Sequence, residues 1–197
     1  TGAVPREVPA ADTVPWRVVP TGRAELLSDR EGTLLPAPAD SERSVVVVAR
    51  LPAAAPAGPT HVATAEFDGP DATFSVGVNL VVTRIRRADV RLIRAALAVH
   101  PSDRAQLAAT ITNRGNAIDT LTLDPTLPPG WHLIGEPQTL VLRPGQQQTV
   151  EVTAAVPGDA QPTHAYAVLT ARASGTALAD ATADIDVLDR RDRNGRG

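Results

Sequence analysis

Apolar residues recur at every second position in many short runs along this chain, with prolines and glycines scattered between them. Val150, Val152, Ala154 and Val156 alternate with Glu151, Thr153 and Ala155. Ala105, Leu107, Ala109 and Ile111 alternate with Gln106, Ala108 and Thr110. Phe74, Val76, Val78, Leu80 and Val82 form a third such set, and Ala179, Ala181, Ala183, Ile185 and Val187 a fourth. Side chains alternate across a strand, so each set is expected to line the inner face of a sheet. Eighteen prolines and fourteen glycines, spread along 197 residues, leave room for short strands and turns rather than long helices. Antiparallel sheets packed as a sandwich follow from that pattern. Aromatics make up only 3% of the chain, so the core must be built from Val, Leu, Ile and Ala.

The chain also resembles itself. "SVVVVARLPAAAPAGPTHVATAEF" (residues 44–67) and "TVEVTAAVPGDAQPTHAYAVLT" (149–170) each hold an alternating run, a proline, an Ala/Pro loop, Pro-Thr-His and a second alternating run. A third run follows in both, at 73–82 and 177–187, and Pro15-Trp16 is loosely matched to Gly130-Trp131. A repeat of this length is a duplicated domain. The expected organisation is a first module over residues 1–84, a second over 85–189, and a polar tail over 190–197. Residues 88–100 alternate poorly across Leu92-Ile93. A bulged first strand is favoured there over a short helix, for which Val90, Ile93 and Leu97 have the spacing.

Between Thr110 and Gly135 lies "TITNRGNAIDTLTLDPTLPPGWHLIG". Asn and Gly tolerate positive φ, so residues 113–116 are read as a corner between strands, with Asp119 accepting hydrogen bonds from nearby backbone N–H groups. The alternative makes Asn113, Asn116 and Asp119 calcium ligands, but a calcium loop clusters more carboxylates. Pro128-Pro129-Gly130 ends the next strand, and Trp131 is expected to plug the end of the sandwich. "TNRGNAIDTLTL", "LPPGW", "LRPGQQQTVEV" and "VPGDA", in that order, resemble the Ig-like domain found beside bacterial alpha-galactosidases, and the bacterial cell-adhesion-related (CARDB) domains are similar. The resemblance covers roughly residues 88–188. It implies an Ig-like sandwich, extracytoplasmic and non-catalytic, with no catalytic residues to carry over. The expected fold is therefore all-β, two tandem Ig-like antiparallel β-sandwiches. The first module departs from the pattern: it has no "TNxGN" corner and only about 15 residues before Trp16.

Few residues suggest chemistry. There is no cysteine, so disulfides and thiolate chemistry are excluded. No two of His61, His100, His132 and His164 stand at metal-ligand spacing, and the equivalent pair His61 and His164 is read as packing strand ends. Asp180, Asp184 and Asp186 form an acidic row on one strand face, read as solvated. The "DGPD" at residues 68–71 reads as a hairpin turn. No nucleophile elbow, zinc-protease helix, phosphate loop or dinucleotide glycine pattern occurs. No enzyme, metal or cofactor is expected. A net charge of −3 gives no reason to expect nucleic acid, and no apolar run approaches a membrane span.

All 19 basic residues are Arg, read as the mark of a GC-rich genome. Arg84, Arg86, Arg87, Arg91 and Arg94 cluster between the modules, as a solvated linker or as a surface for an anionic partner such as a membrane. The start Thr1-Gly2-Ala3 is read as a processed end in keeping with export. The sharpest contrast lies between the repeats. Val45, Val47, Ala49 and Leu51 match the inward set of the second module, but their outward neighbours are Val46, Val48 and Arg50, where the second has Glu151, Thr153 and Ala155. A strand apolar on both sides needs cover on both. Residues 23–37 are the favoured cover, with a partner chain as the other. Val46, Val48, Arg50, Arg84, Arg86 and Arg87 are thus the candidate partner-binding residues. The expected function is a structural or assembly subunit on the extracytoplasmic side of a bacterial membrane, bound to other protein subunits in an envelope complex, surface layer or filament. The rival is a glycan-binding module, which would call for an exposed Trp pair.

Overall fold

The structure, a computed structural model, describes residues 13–35, 42–69 and 72–189, and every regular element in it is a strand. The expected N-terminal processing, the middle of the "DGPD" turn and the polar tail fall outside the described residues. The chain forms two compact units, Thr1–Thr83 and Arg84–Gly197.

Six strands make the first unit: β1 (Val14–Pro20), β2 (Glu25–Leu26), β3 (Glu31–Leu34), β4 (Ala49–Arg50), β5 (Gly58–Asp68) and β6 (Thr73–Val82). Nine make the second: β7 (Ala88–Leu92), β8 (Ala96–Val99), β9 (Arg104–Asn113), β10 (Asp119–Thr126), β11 (His132–Ile134), β12 (Thr139–Leu142), β13 (Gln147–Ala155), β14 (Thr163–Ala173) and β15 (Thr176–Val187).

The second unit is a complete Ig-like sandwich. One sheet runs β12-β10-β14-β15-β8 and the other β11-β13-β9-β7. The alternating sets fall where the period of two demands. Ala105, Leu107, Ala109 and Ile111 from β9, with Val150, Val152 and Ala154 from β13, are buried against Ala183, Ile185 and Val187 from β15. Trp131 joins this core, so the expected plug is in place.

Residues 88–100 form neither a helix nor one bulged strand. They cross from sheet to sheet: β7 pairs antiparallel with β9, and β8 pairs parallel with β15. The break in alternation at Leu92-Ile93 is the crossing point, and Val90, Ile93 and Leu97 share no face: Val90 is buried, Ile93 exposed and Leu97 half-buried.

In the first unit one sheet runs β3-β1-β5-β6, and among the described residues β2 and β4 form a two-stranded sheet. Set beside the second unit, the match is strand for strand. In chain order β1 to β6 take the places of β10 to β15, and every pairing among them has its antiparallel counterpart. Trp16 lies in β1, the counterpart of β10, so its loose alignment with Trp131, which precedes β11, is corrected. Among the described residues nothing takes the places of β7, β8 and β9. The consequence is a thin core. Val18, Leu26, Ala63 and Ala65 are its buried members, with Trp16, Val47, Ala49, Phe67 and Val78 packed partly against them.

Candidate functional site

The open side of the first unit is the site most unlike the rest of the molecule. Its geometry follows from the register. His61 faces Asn79 on the β5–β6 ladder as His164 faces Asp186 on β14–β15, and Ala63 faces Val78 as Ala165 faces Ile185. A register shift between His61 and Ala63 absorbs the extra residue Val62. Val76, Val78 and Leu80 thus stand where Ala183, Ile185 and Val187 stand in the second unit. The latter three are buried beneath the opposite sheet and beside β8. Their counterparts are not: Val76 is 51% exposed and Leu80 38%, and Phe74, further along the same face, is 53% exposed. Phe74 stacks on its cross-strand neighbour Phe67, with ring centroids 5.0 Å apart, and that contact leaves its other ring face open. The row expected to fill a core therefore lies bare, because the strands that would cover it are missing from the described residues.

The other face of the contrast between repeats is also bare. Burial alternates as expected over residues 45–51, with Val45, Val47, Ala49 and Leu51 half-buried and Val46, Val48 and Arg50 exposed. Only Ala49–Arg50 enters a ladder, however. The favoured intramolecular cover is corrected. Within residues 23–35 the chain pairs with the edge of this segment: β2 lies on β4, Leu27 N–H donates to Val48 O at 2.8 Å, and Val48 N–H to Ser28 Oγ at 3.2 Å. An edge partner satisfies backbone groups without shielding the outward side chains, so Val46 remains 74% exposed and Val48 47%. Arg50 reaches Glu25 at 3.6 Å.

The junction arginines are placed differently from a free basic patch. Arg84 Nη2 donates to Asp119 Oδ1 at 2.9 Å and to Ile118 O at 2.8 Å, and Arg86 Nε lies 3.6 Å from Asp119 Oδ2. Asp119 is buried, and its partners are these guanidinium groups rather than the nearby backbone N–H groups expected from sequence. Arg91 pairs with Asp89 at 3.0 Å. Arg87 is exposed, and its carbonyl accepts from Arg114 N–H at 2.8 Å. Three of the four candidate partner-binding arginines, Arg50, Arg84 and Arg86, thus have an acidic partner within their own unit.

The corner at residues 113–119 is a clasp for this incoming segment. Asn116 N–H donates to Ile85 O at 3.2 Å, and Ile85 N–H donates back to Asn116 Oδ1 at 2.7 Å. Gly115 is not at positive φ, which corrects the reason expected for it. A Cβ there would overlap the Ile85 carbonyl oxygen, so glycine is needed for close approach of two backbones. Replacing it with valine is expected to destabilise the second unit by about 1–3 kcal/mol, the usual cost of forcing atoms into filled space. Urea unfolding of the variant is the measurement.

His61 and His164 occupy equivalent positions, and each hydrogen-bonds its cross-strand neighbour. His61 Nδ1 meets Asn79 Oδ1 at 3.1 Å, and His164 Nδ1 meets Asp186 Oδ1 at 2.7 Å. Both are exposed side chains on a sheet face rather than plugs of a strand end. Asp184 is 3.9 Å from His164 Nε2, and no group of three or more such side chains among the described residues is arranged to hold a metal ion. Exhaustive chelation is expected to leave the melting temperature unchanged; a fall of several degrees would reveal a metal.

Close by, a surface depression of about 950 Å³ is lined by Trp131, His132, Asp159, His164 and Tyr166 among others. Trp131 is buried there and Tyr166 is 55% exposed, edge-on to His164 at 4.9 Å. The exposed Trp pair that a glycan platform calls for is not formed.

No helix among the described residues is long and apolar enough to cross a membrane, which says nothing of strands. No family model and no curated protein matches the chain. Among solved structures it is similar to a Salmonella alpha-2-macroglobulin at 17% identity, with TM-score 0.39, over 89% of this chain and 14% of that one. It is similar to domains 4 and 5 of the S-layer protein SbsC at 12% identity, with TM-score 0.34, over 94% and 75%. It is also similar to a family 123 glycoside hydrolase from Clostridium perfringens at 10% identity, with TM-score 0.37, over 52% and 27%. The chain spans less than a third of that hydrolase and of the macroglobulin.

Proposed function

We propose that the protein is a non-catalytic structural or assembly subunit of the CARDB-like type, acting on the extracytoplasmic side of a bacterial membrane and binding other protein subunits. The observation that carries this reading is the uncovered row Phe74, Val76 and Leu80 on a sheet whose counterpart in the same chain is fully covered. Large apolar side chains gathered on one exposed sheet face are costly in water and mark a contact surface. The second unit supplies a rigid, self-contained support, clasped at its corner to the segment that leads into it. A surface for anionic lipid is the weaker reading of the junction, because Asp119 holds both Arg84 and Arg86 and offsets one of their two charges. At the depression beside Trp131 a glycan would find Tyr166 as its exposed aromatic, with Trp131 itself buried.

The test is fractionation and purification from the native source under mild conditions, with mass measurement of the assembly. A stoichiometric complex with at least one other protein in the extracytoplasmic fraction is expected. A free monomer in the cytoplasm would overturn the reading.

A further inference from the structure

We propose that the end of the first unit beside His61 is a binding pocket for a planar aromatic group of one or two rings, in the place that the second unit fills with its own Trp131.

The register fixes which residue stands for which. Glu25 faces Arg50 and Leu26 faces Ala49 on β2–β4, as His132 faces Ala155 and Leu133 faces Ala154 on β11–β13. Both second strands then run into a proline, at Leu51-Pro52 and Val156-Pro157. The same turn follows: Ala55 N–H donates to Pro52 O at 2.9 Å, and Ala160 N–H to Pro157 O at 3.2 Å. The repeated Pro-Thr-His, at residues 59–61 and 162–164, closes both loops. Ahead of His132 stands Trp131, buried as part of the core. Ahead of Glu25 stands Ala24, so a methyl group takes the place of an indole.

No other aromatic of the first unit makes up the difference. Residues 1–83 hold Trp16, Phe67 and Phe74. Trp16 faces Phe67, and Phe67 faces Phe74. That cluster lies along β5 about 20 Å from His61, at a rise of about 3.3 Å per residue.

What remains is a pocket of about 250 Å³, walled by Ala24, Leu51, Pro52, Ala54, Ala55 and Pro56, with His61 beside them. The loop supplies the wall. Between its prolines the first unit has "AAAPAG" where the second has the shorter, more polar "GDAQ". The size selects the ligand: an apolar cavity of about 150 Å³ already accepts benzene, and drug-sized pockets begin at about 300 Å³. The polar groups agree. Both ring nitrogens of His61 are engaged, with Asn79 Oδ1 at 3.1 Å and Thr64 Oγ1 at 3.1 Å, so it offers a ring surface. No carboxylate among the described residues lines the pocket, and the exposed Arg23 stands at its mouth. A guanidinium there favours an aromatic face and repels a cationic ligand.

The test is an NMR titration of the full chain, labelled in its alanine methyl groups, with indole. Saturable shifts centred on Ala24, Ala54 and Ala55 are expected. Ala24→Trp, which refills the space as in the second unit, is expected to abolish them and to raise the melting temperature of the first unit by several degrees. Ala55→Asp sets a carboxylate in the loop wall and is expected to weaken indole binding at least about tenfold while melting with the parent. N-acetyltryptophanamide in the same titration identifies the source of the group. Tighter binding than indole marks the side chain of a polypeptide, and weaker binding a free aromatic molecule. Shifts absent from these methyl groups, shifts that persist in Ala24→Trp, or unchanged affinity in Ala55→Asp would each overturn the proposal, the last even if Ala24→Trp does not fold.

Discussion

Replacing Asn113 with alanine is expected to lower the stability of the second unit by about 3–4 kcal/mol, as three hydrogen bonds to a buried side chain are lost at once. Asn113 is fully buried at the end of β9. Its Nδ2 donates to Ala117 O at 2.9 Å and to Leu142 O at 2.8 Å, and its Oδ1 accepts from Gly115 N–H at 2.8 Å. The side chain thus ties its own corner to the end of β12 and shapes the turn that receives the Ile85 carbonyl. Alanine leaves two carbonyls and one N–H without that partner, the Leu142 carbonyl in a buried position and the other two half-buried, and an unmet buried group costs more than its bond contributes. Asn113→Asp serves as the informative companion. It keeps the volume and the Gly115 bond but removes both donors and buries a charge, so it is expected to be at least as damaging as alanine. Urea unfolding, read as the transition of the second unit, is the measurement. A loss below about 1 kcal/mol for both variants, no more than one ordinary hydrogen bond, would mean that the corner does not hold the sandwich together.

The fold of the second unit was legible because its information is local. A period of two over β9, β13 and β15 specifies a face within eight or ten residues, and the turn residues mark where each strand ends. The open side of the first unit was half legible. Phe74, Val76 and Leu80 read as an inner face and are one, but alternation encodes which side is apolar and says nothing of whether an opposing sheet exists. The contrast showed instead in the apolar outer neighbours Val46 and Val48. Gly115 illustrates a different loss. Glycine serves either for positive φ or for close backbone approach, and only the position of Ile85, thirty residues away in sequence, decides between them. The same distance hid the ion pairs of Asp119. Its partners sit in a run of arginines that composition alone presents as solvated. Residues 88–100 read as one bulged strand rather than two because a chain that changes sheets loses its period at the crossing, and the period alone does not say why.

Hydrogen exchange on the isolated chain is expected to separate the two units, with amides of residues 74–82 opening at least about a hundredfold more readily than those of residues 149–156, a difference of about 3 kcal/mol. The physical basis is the ratio of covered to uncovered apolar surface. In the second unit β13 lies between β11 and β9, and Val150, Val152 and Ala154 are buried beneath the opposite sheet. Breaking that ladder means opening the core. In the first unit β6 is an edge strand whose inner face touches water along Phe74, Val76 and Leu80, so its loss exposes little that is not already exposed. Its hold is the ladder to β5 and the stack of Phe74 on Phe67. Under the assembly reading a partner seated on this face buries the row, so protection over residues 74–82 is expected to rise in the assembled complex. The rest of the molecule should change little, because the second unit needs nothing further to be complete. Equal protection of the two units in the isolated chain would contradict this account: the first unit would then be a smaller sandwich, stable as it stands.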